Sequence, residues 1–164
     1  MNKYRIPPSM IDGNHFYADD MGRIWDTNGR EKPQHFNEAM RNHVGGSCYL
    51  FIRYGKFAKM AHKLICAARW GLPRKGQECH HLNGNKFDNR PMNLIWLSKA
   101  RHRHYDNRLK ALRKLFDNFS INDRRDFIRW ARMSEKSFQT MLAGYTKGDP
   151  AEQIEYEMTH HCEC

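Results

Sequence analysis

The run from Glu78 to His102, ECHHLNGNKFDNRPMNLIWLSKARH, constrains this chain more than any other stretch. It holds two adjacent histidines, an asparagine twelve residues after the second, and a further histidine nine residues beyond that. Its centre, LNGNKFDNRPM, strings together Asn-Gly, Asp-Asn and Arg-Pro, each of which favours turns, so it cannot be regular. NLIWL then reads as a short strand, and Ser98 as the N-cap of a helix. If His80 and His81 close one strand of a hairpin, Asn93 opens the returning strand and His102 sits in the following helix, these side chains are expected to meet at one point. His80 and His81 are consecutive, so on an extended strand they point to opposite sides, and a local twist or bulge is expected if both border one site.

The helix adds a second constraint. His102, Tyr105, Leu109, Leu112, Phe116 and Phe119 follow a 3-4-3-4-3 spacing and therefore form one stripe. His102 is expected on the inward face with the apolar residues, and His104 elsewhere.

Upstream, HFYADD, GRIWD and SCYLFIRYGKFAKM read as short strands separated by turn signals at Gly22, Thr27-Asn28-Gly29 and Gly45-Gly46. AHKLICAARW, from Ala61 to Trp70, places Leu64, Ile65 and Ala68 on one helical face, with Gly71 and Pro73 to stop it. Downstream, Ser120 or Asn122 is expected to cap a helix holding Phe127, Ile128 and Ala131, and Ser134 a second one, SEKSFQTMLAG, after a tight break at Arg132-Met133. Two short helices so joined suggest a helix-turn-helix, although any αα-hairpin would give the same pattern. Asp149-Pro150-Ala151-Glu152 is a helix start, followed by an acidic tail ending in HHCEC. No internal repeat is evident.

Charge narrows the partner. Lys and Arg exceed Asp and Glu by 10, and residues 1–147 carry 28 basic against 13 acidic side chains, a balance of +15. A polyanion is expected as partner, nucleic acid or an acidic membrane by charge alone. No stretch approaches the roughly 20 apolar residues of a membrane span. The amino terminus lacks the apolar core of a signal peptide, so a soluble, cytoplasmic protein is expected. Five cysteines without a C-x-x-C pair indicate neither a disulfide framework nor a common zinc knuckle. Cys79 is expected to pack in the hairpin, and the ligand-rich tail lacks a second pair at zinc-finger spacing.

Two or three imidazoles near an amide suit one chemistry. Hydrolysing a phosphodiester with water needs a base for the water, charge neutralisation at the phosphate and stabilisation of the leaving 3′ oxygen, and one metal ion can do the last two. His81 is assigned as the general base, because a neutral imidazole takes a proton near neutral pH. His80 and His102 are assigned as metal ligands. Asn93 is assigned as a clamp across the irregular loop that holds His81 in register, an amide being a weak metal ligand but a versatile hydrogen-bonder.

These segments resemble a known family. AHKLI is similar to the V-H-R-L-V, and HHLNGNKFDNRPMNLIWLS to the D-H-I-D-G-N-K-x-N-N-x-x-x-N-L-x-W-V-T, of phage and intron-encoded homing endonucleases of the HNH (ββα-metal, or His-Me finger) type. YAD with DMGRIWD resembles the N-terminal repeat called NUMOD4, Y-x-V-S-N-x-G-R-V. The resemblance implies an α+β chain of N-terminal antiparallel strands, a central ββα-metal HNH module and a C-terminal helix-turn-helix-like unit. The expected segments are 1–60, β-rich and DNA-contacting; 61–108, the nuclease module; 109–119, a continuing basic helix; 120–147, a helical DNA-binding unit; and 148–164, an acidic tail.

It also implies a site. His81 falls on the family's base, His80 and His102 on its metal-ligand positions, Asn93 on its loop-bracing Asn, and His62 on an upstream His that is expected to contact substrate or hydrogen-bond backbone. That branch carries Asp or Asn where His80 stands and Asn where His102 stands, whereas colicin-type HNH nucleases use His. One divalent ion is expected, Mg²⁺ or Mn²⁺, with Co²⁺, Ni²⁺ or Zn²⁺ suited to imidazole. Double-stranded DNA is the expected partner, gripped by Lys99, Arg101, Arg103, Arg108, Arg124, Arg125, Lys136 and Gln139. The expected activity is site-specific, metal-dependent DNA cleavage by a monomer, with dimerisation as the route to double-strand breaks. The competing readings are a non-cleaving DNA-binding regulator on the same scaffold and a less specific nuclease of restriction, packaging or toxin type.

Overall fold

The computed structural model describes residues 2–36, 49–115 and 124–145. The expected N-caps Ser120 and Asn122, the aromatic residues Phe116 and Phe119, and the acidic tail lie outside the described residues. The chain divides into two compact units, Met1–Asn107 and Arg108–Cys164.

The first unit opens with strands β1 (Lys3–Arg5), β2 (Phe16–Asp19), β3 (Ile24–Asp26) and β4 (Glu31–Lys32), an antiparallel sheet in that order. Its two inner turns are the same device used twice. In the β2–β3 turn, Asp19 accepts from Met21 N at 2.9 Å and Arg23 N at 3.0 Å, and Gly22 takes φ +78°. In the β3–β4 turn, Asp26 accepts from Asn28 N at 3.0 Å and Arg30 N at 2.9 Å, and Gly29 takes φ +74°. Each side chain mimics a turn of backbone and each glycine supplies the left-handed residue. The underlying Asp-x-x-Gly-Arg recurs after seven residues, at Asp19 and Asp26, too short a period to register as a repeat architecture.

A second antiparallel sheet contains β5 (His35–Phe36), β6 (Leu50–Tyr54) and β7 (Phe57–Met60). From its sequence SCYLFIRYGKFAKM reads as one strand. Gly55 at φ +52° turns it back on itself, so that Tyr54 pairs with Phe57 and Phe51 with Met60.

Helix α1 (Ala61–Trp70) buries Ala61, Leu64, Ile65 and Cys66 and stops where expected. Gly71, at φ +83°, ends it while its N–H reaches Ala67 O at 3.0 Å. The hairpin β8 (Gln77–His81) and β9 (Leu94–Ser98) follows, and α2 (Lys99–Leu115) leaves directly from its end. Two indoles tie α1 to the hairpin region, Trp70 Nε1 donating to Pro91 O and Trp96 Nε1 to Gly71 O, both at 2.9 Å.

One core holds this unit together. Ile6, Ile11, Phe16, Ala18 and Ile24 of the amino-terminal sheet region pack with Ile52, with Leu64, Ile65 and Cys66 of α1, and with Cys79 and Leu94 of the hairpin. Residues on both sides of position 60 thus share one core. Burying a Leu or Ile contributes about 1.5–3 kcal/mol, so Leu64 and Ile65, fully enclosed, fix α1 against both the sheet and the hairpin.

In the second unit, α3 (Arg124–Arg132) and α4 (Glu135–Tyr145) are joined by Met133 and Ser134. Ser134 caps α4, its Oγ accepting from Ser137 N at 3.0 Å. Among the described residues, Leu109, Leu112, Phe127, Trp130 and Phe138 are its buried apolar side chains.

Candidate active site and metal centre

Strands β8 and β9 pair without a bulge, His80 opposite Ile95 and His81 opposite Leu94. Strand alternation therefore holds, and the two imidazoles enter adjoining clusters rather than the single meeting point expected from sequence.

His80 faces α2. Its ring lies edge-on to that of His102, centroids 4.8 Å apart, and its Nδ1 is 3.6 Å from Asp106 Oδ1. His102 Nε2 is likewise 3.6 Å from Asp106 Oδ2. Among the described residues, His80, His102 and Asp106 each offer one ligand atom, all within 4.8 Å of one another. The two 3.6 Å separations run one to each oxygen of the Asp106 carboxylate, which thus faces both imidazoles. Glu78 completes the arrangement by accepting from His102 Nδ1 at 2.9 Å. That contact leaves Nε2 as the lone pair turned toward Asp106, the usual way a carboxylate orients a metal-binding imidazole.

The electrostatics agree. Burial, then the neighbouring His102 and His81 rings, push the His80 pKa down to about 3, so the ring is neutral and able to coordinate. The hydrogen bond from His102 holds the Glu78 carboxyl below its ordinary range. Two imidazoles and a carboxylate suit Mn²⁺, Co²⁺, Ni²⁺ or Zn²⁺ better than the all-oxygen shell preferred by Mg²⁺.

His81 faces the other way. Its Nε2 is 3.0 Å from Asn89 Oδ1, and its ring lies 5.1 Å from His62 and 6.1 Å from Tyr49. Burial lowers its pKa, partly offset by the Asn89 hydrogen bond and the Asp88 charge, while Lys86 and His102 lower it further.

Asn93 spans the loop between the strands. Its Oδ1 accepts from Asn83 N at 3.0 Å and its Nδ2 donates to Asp88 O at 2.7 Å, while its backbone carbonyl accepts from Leu82 N at 2.8 Å. The loop is cross-braced next to His81. The atom touching His81 itself belongs to Asn89, a residue the sequence reading did not single out.

His62, second residue of α1, is 1% exposed and stacks on Tyr49 with centroids 4.5 Å apart. Burial first, then His81, Lys63 and Lys86, push its pKa down to about 3. Its Nδ1 is buried with no hydrogen-bond partner among the described residues.

The expected DNA-contacting residues divide. Lys99, Arg101 and Arg103 are exposed on the first turns of α2, and Arg125, Lys136 and Gln139 are exposed on α3 and α4; Arg124 is half-buried. Gln139 is engaged with Glu135 at 2.8 Å. Arg108 is a correction. It is 4% exposed, donates to Trp130 O at 3.2 Å, Met133 O at 3.0 Å and Glu135 Oε2 at 3.1 Å, and covers the Phe138 ring at 4.4 Å. Its guanidinium ties the end of α3 to the start of α4 and is not available to phosphate.

Residues 59–104 match the HNH endonuclease family. The HNH match runs from the end of β7 through α1 and the hairpin into α2, and contains His62, His80, His81, Asn89, Asn93 and His102. Asp106 lies two residues past its end, on the helical turn after His102. No curated protein matches the chain. Among solved structures, one described as DNA binding and cleavage by the HNH homing endonuclease I-HmuI is similar at 18% identity and a TM-score of 0.40. The alignment covers 58% of this chain and 52% of that one, so the chain spans about half the length of the structure it matches.

Proposed function

We propose that this protein is a metal-dependent DNA endonuclease of the HNH homing type. The observation that carries the reading is the adjacency of the two clusters: a neutral, amide-oriented His81 and a His80, His102 and Asp106 trio share one hairpin and its following helix. The family match over residues 59–104, which contain His80, His81 and His102 but not Asp106, supports it.

In this reaction His81 takes a proton from the attacking water, whose oxygen forms a bond to phosphorus while the bond to the 3′ oxygen breaks. The released 3′ oxygen takes a proton from solvent water, so the products carry 5′-phosphate and 3′-hydroxyl ends. His80, His102 and Asp106 would hold a divalent ion, which would supply positive charge at the phosphate and the departing oxygen. Asn89 orients the base, Asn93 keeps the loop from shifting under it, and Glu78 turns His102 toward the ligand position. Lys99, Arg101 and Arg103, exposed beside the trio on α2, grip flanking phosphates, and Arg125 and Lys136, exposed on α3 and α4, are further phosphate contacts. With one such site among the described residues, a monomer nicks.

A cleavage assay on a plasmid carrying the native target region tests this. Nicking that requires added metal, with Mn²⁺, Co²⁺ or Ni²⁺ at least as effective as Mg²⁺, is the expected outcome. Metal-dependent affinity without any strand cleavage would instead make the chain a DNA-binding regulator, and uniform degradation of a random-sequence library would remove the homing assignment.

A further inference from the structure

His81 is held by a chain of hydrogen bonds that begins in the amino-terminal sheet. Gly22 O accepts from Gln34 Nε2 at 2.5 Å, Gln34 Oε1 accepts from Asn89 Nδ2 at 2.7 Å, and Asn89 Oδ1 meets His81 Nε2 at 3.0 Å. Side-chain amides can be turned either way, so the direction of such a chain is normally an assignment rather than an observation. Here one end fixes it. A backbone carbonyl can only accept, so Gln34 must present its NH₂ to Gly22 and its oxygen to Asn89. Asn89 must then give its NH₂ to Gln34 and its oxygen to His81. An oxygen facing Nε2 requires that nitrogen to carry the ring proton.

A second, steric observation ties the same two segments. A Cβ on Gly22 would fall 2.6 Å from the backbone C and O of Asn89 and 2.8 Å from Arg90 N. The β2–β3 turn therefore lies directly against the loop that carries Asn89, and Asn89 itself is 5% exposed. Both residues belong to the same compact unit.

We propose that Gln34 is a positioning residue which, anchored on Gly22 O and acting through Asn89, holds the neutral His81 ring as its Nε2–H tautomer and so makes Nδ1 the nitrogen that deprotonates water. The turn of the N-terminal sheet thereby takes part in the chemistry. The base role of that nitrogen rests on the proposed nuclease function; the tautomer does not.

Two substitutions at Gln34 separate the polarity of the chain from its mere presence. Gln34→Glu still accepts from Asn89, so the Nε2–H tautomer is retained. Gln34→Lys can only donate, so Asn89 turns its oxygen to the lysine and its NH₂ to His81, and the ring proton moves to Nδ1. The readout is ¹⁵N NMR of the histidine rings in the full chain without DNA, at alkaline pH where His81 is neutral, with backbone amide spectra reporting that each variant is folded. Nε2–H in the unsubstituted protein and in Gln34→Glu, with Nδ1–H in Gln34→Lys, is expected, and kcat in Gln34→Lys should fall by about tenfold or more at unchanged KM. Nδ1–H in the unsubstituted protein, or one tautomer in all three, overturns the proposal; if Gln34→Lys does not fold, the unsubstituted protein and Gln34→Glu still decide it. If the tautomers behave as expected while His81→Ala still cleaves, the relay stands and the nuclease reading falls; if the tautomers do not respond while His81→Ala is inactive, the reverse holds.

Discussion

Acidification should expose the cost of burying His62. In the folded chain this ring is 1% exposed and its pKa is pushed down to about 3. In the unfolded chain it titrates near its ordinary value of about 6.5. Above that value neither state binds a proton and the difference vanishes. Below it the unfolded chain takes up a proton that the folded chain refuses, so stability falls continuously until the pH reaches the folded value. Between about pH 7 and about pH 5 the linkage integral amounts to about 2 kcal/mol. His80, also held at about 3, contributes a parallel loss, so a single protein cannot apportion the effect. The assay is therefore a pair of urea titrations at each pH, in the presence of a chelator, on the unsubstituted protein and on His62→Leu. Leucine keeps an apolar body in the site and cannot titrate. The unsubstituted protein should lose about 2 kcal/mol more than His62→Leu over this interval, at a similar m-value. Identical pH dependence in the two proteins would refute the claim that His62 is held neutral by burial.

Two further outcomes follow from the geometry. Gly22→Ala should destabilise the first unit by about 1–2 kcal/mol for a left-handed residue with a Cβ, plus a further 1–3 kcal/mol for the clash with Asn89, read as a lowered urea midpoint. Asp106→Ala should weaken Mn²⁺ binding measured by calorimetry by about 10-fold or more while leaving DNA affinity without metal unchanged; equal Mn²⁺ affinity would remove Asp106 from the ligand set.

Much of the hairpin and helix was legible because its signals are local. Gly71 stops α1, the turn-forming dipeptides mark the loop, and the spacing of Tyr105, Leu109 and Leu112 fixes the buried face of α2, each within a few residues. Two details were legible but unread. Asp106 follows His102 by four residues, one helical turn on the same side, and Arg108 lies three residues after Tyr105 and four before Leu112, on the buried stripe. The separation of His80 from His81 follows from strand alternation, which a regular β8–β9 ladder left undisturbed.

What the sequence could not reveal depends on tertiary contact. Gln34 and Asn89 are 55 residues apart, and nothing in either neighbourhood signals the other. Their meeting depends on how the β2–β3 turn seats against the loop, a matter of the shared core rather than of local pattern. Phe51 and Met60 read as one strand until Gly55 is seen to reverse it.

The central claim is that His81 removes the proton from water beside a metal held by His80, His102 and Asp106. Its most direct test is single-turnover cleavage of the target duplex by His81→Ala in saturating Mn²⁺, with DNA and Mn²⁺ affinities measured on the same preparation. The account predicts a loss of about 10²-fold or more in the cleavage rate with both affinities retained. Cleavage at the unsubstituted rate would contradict it.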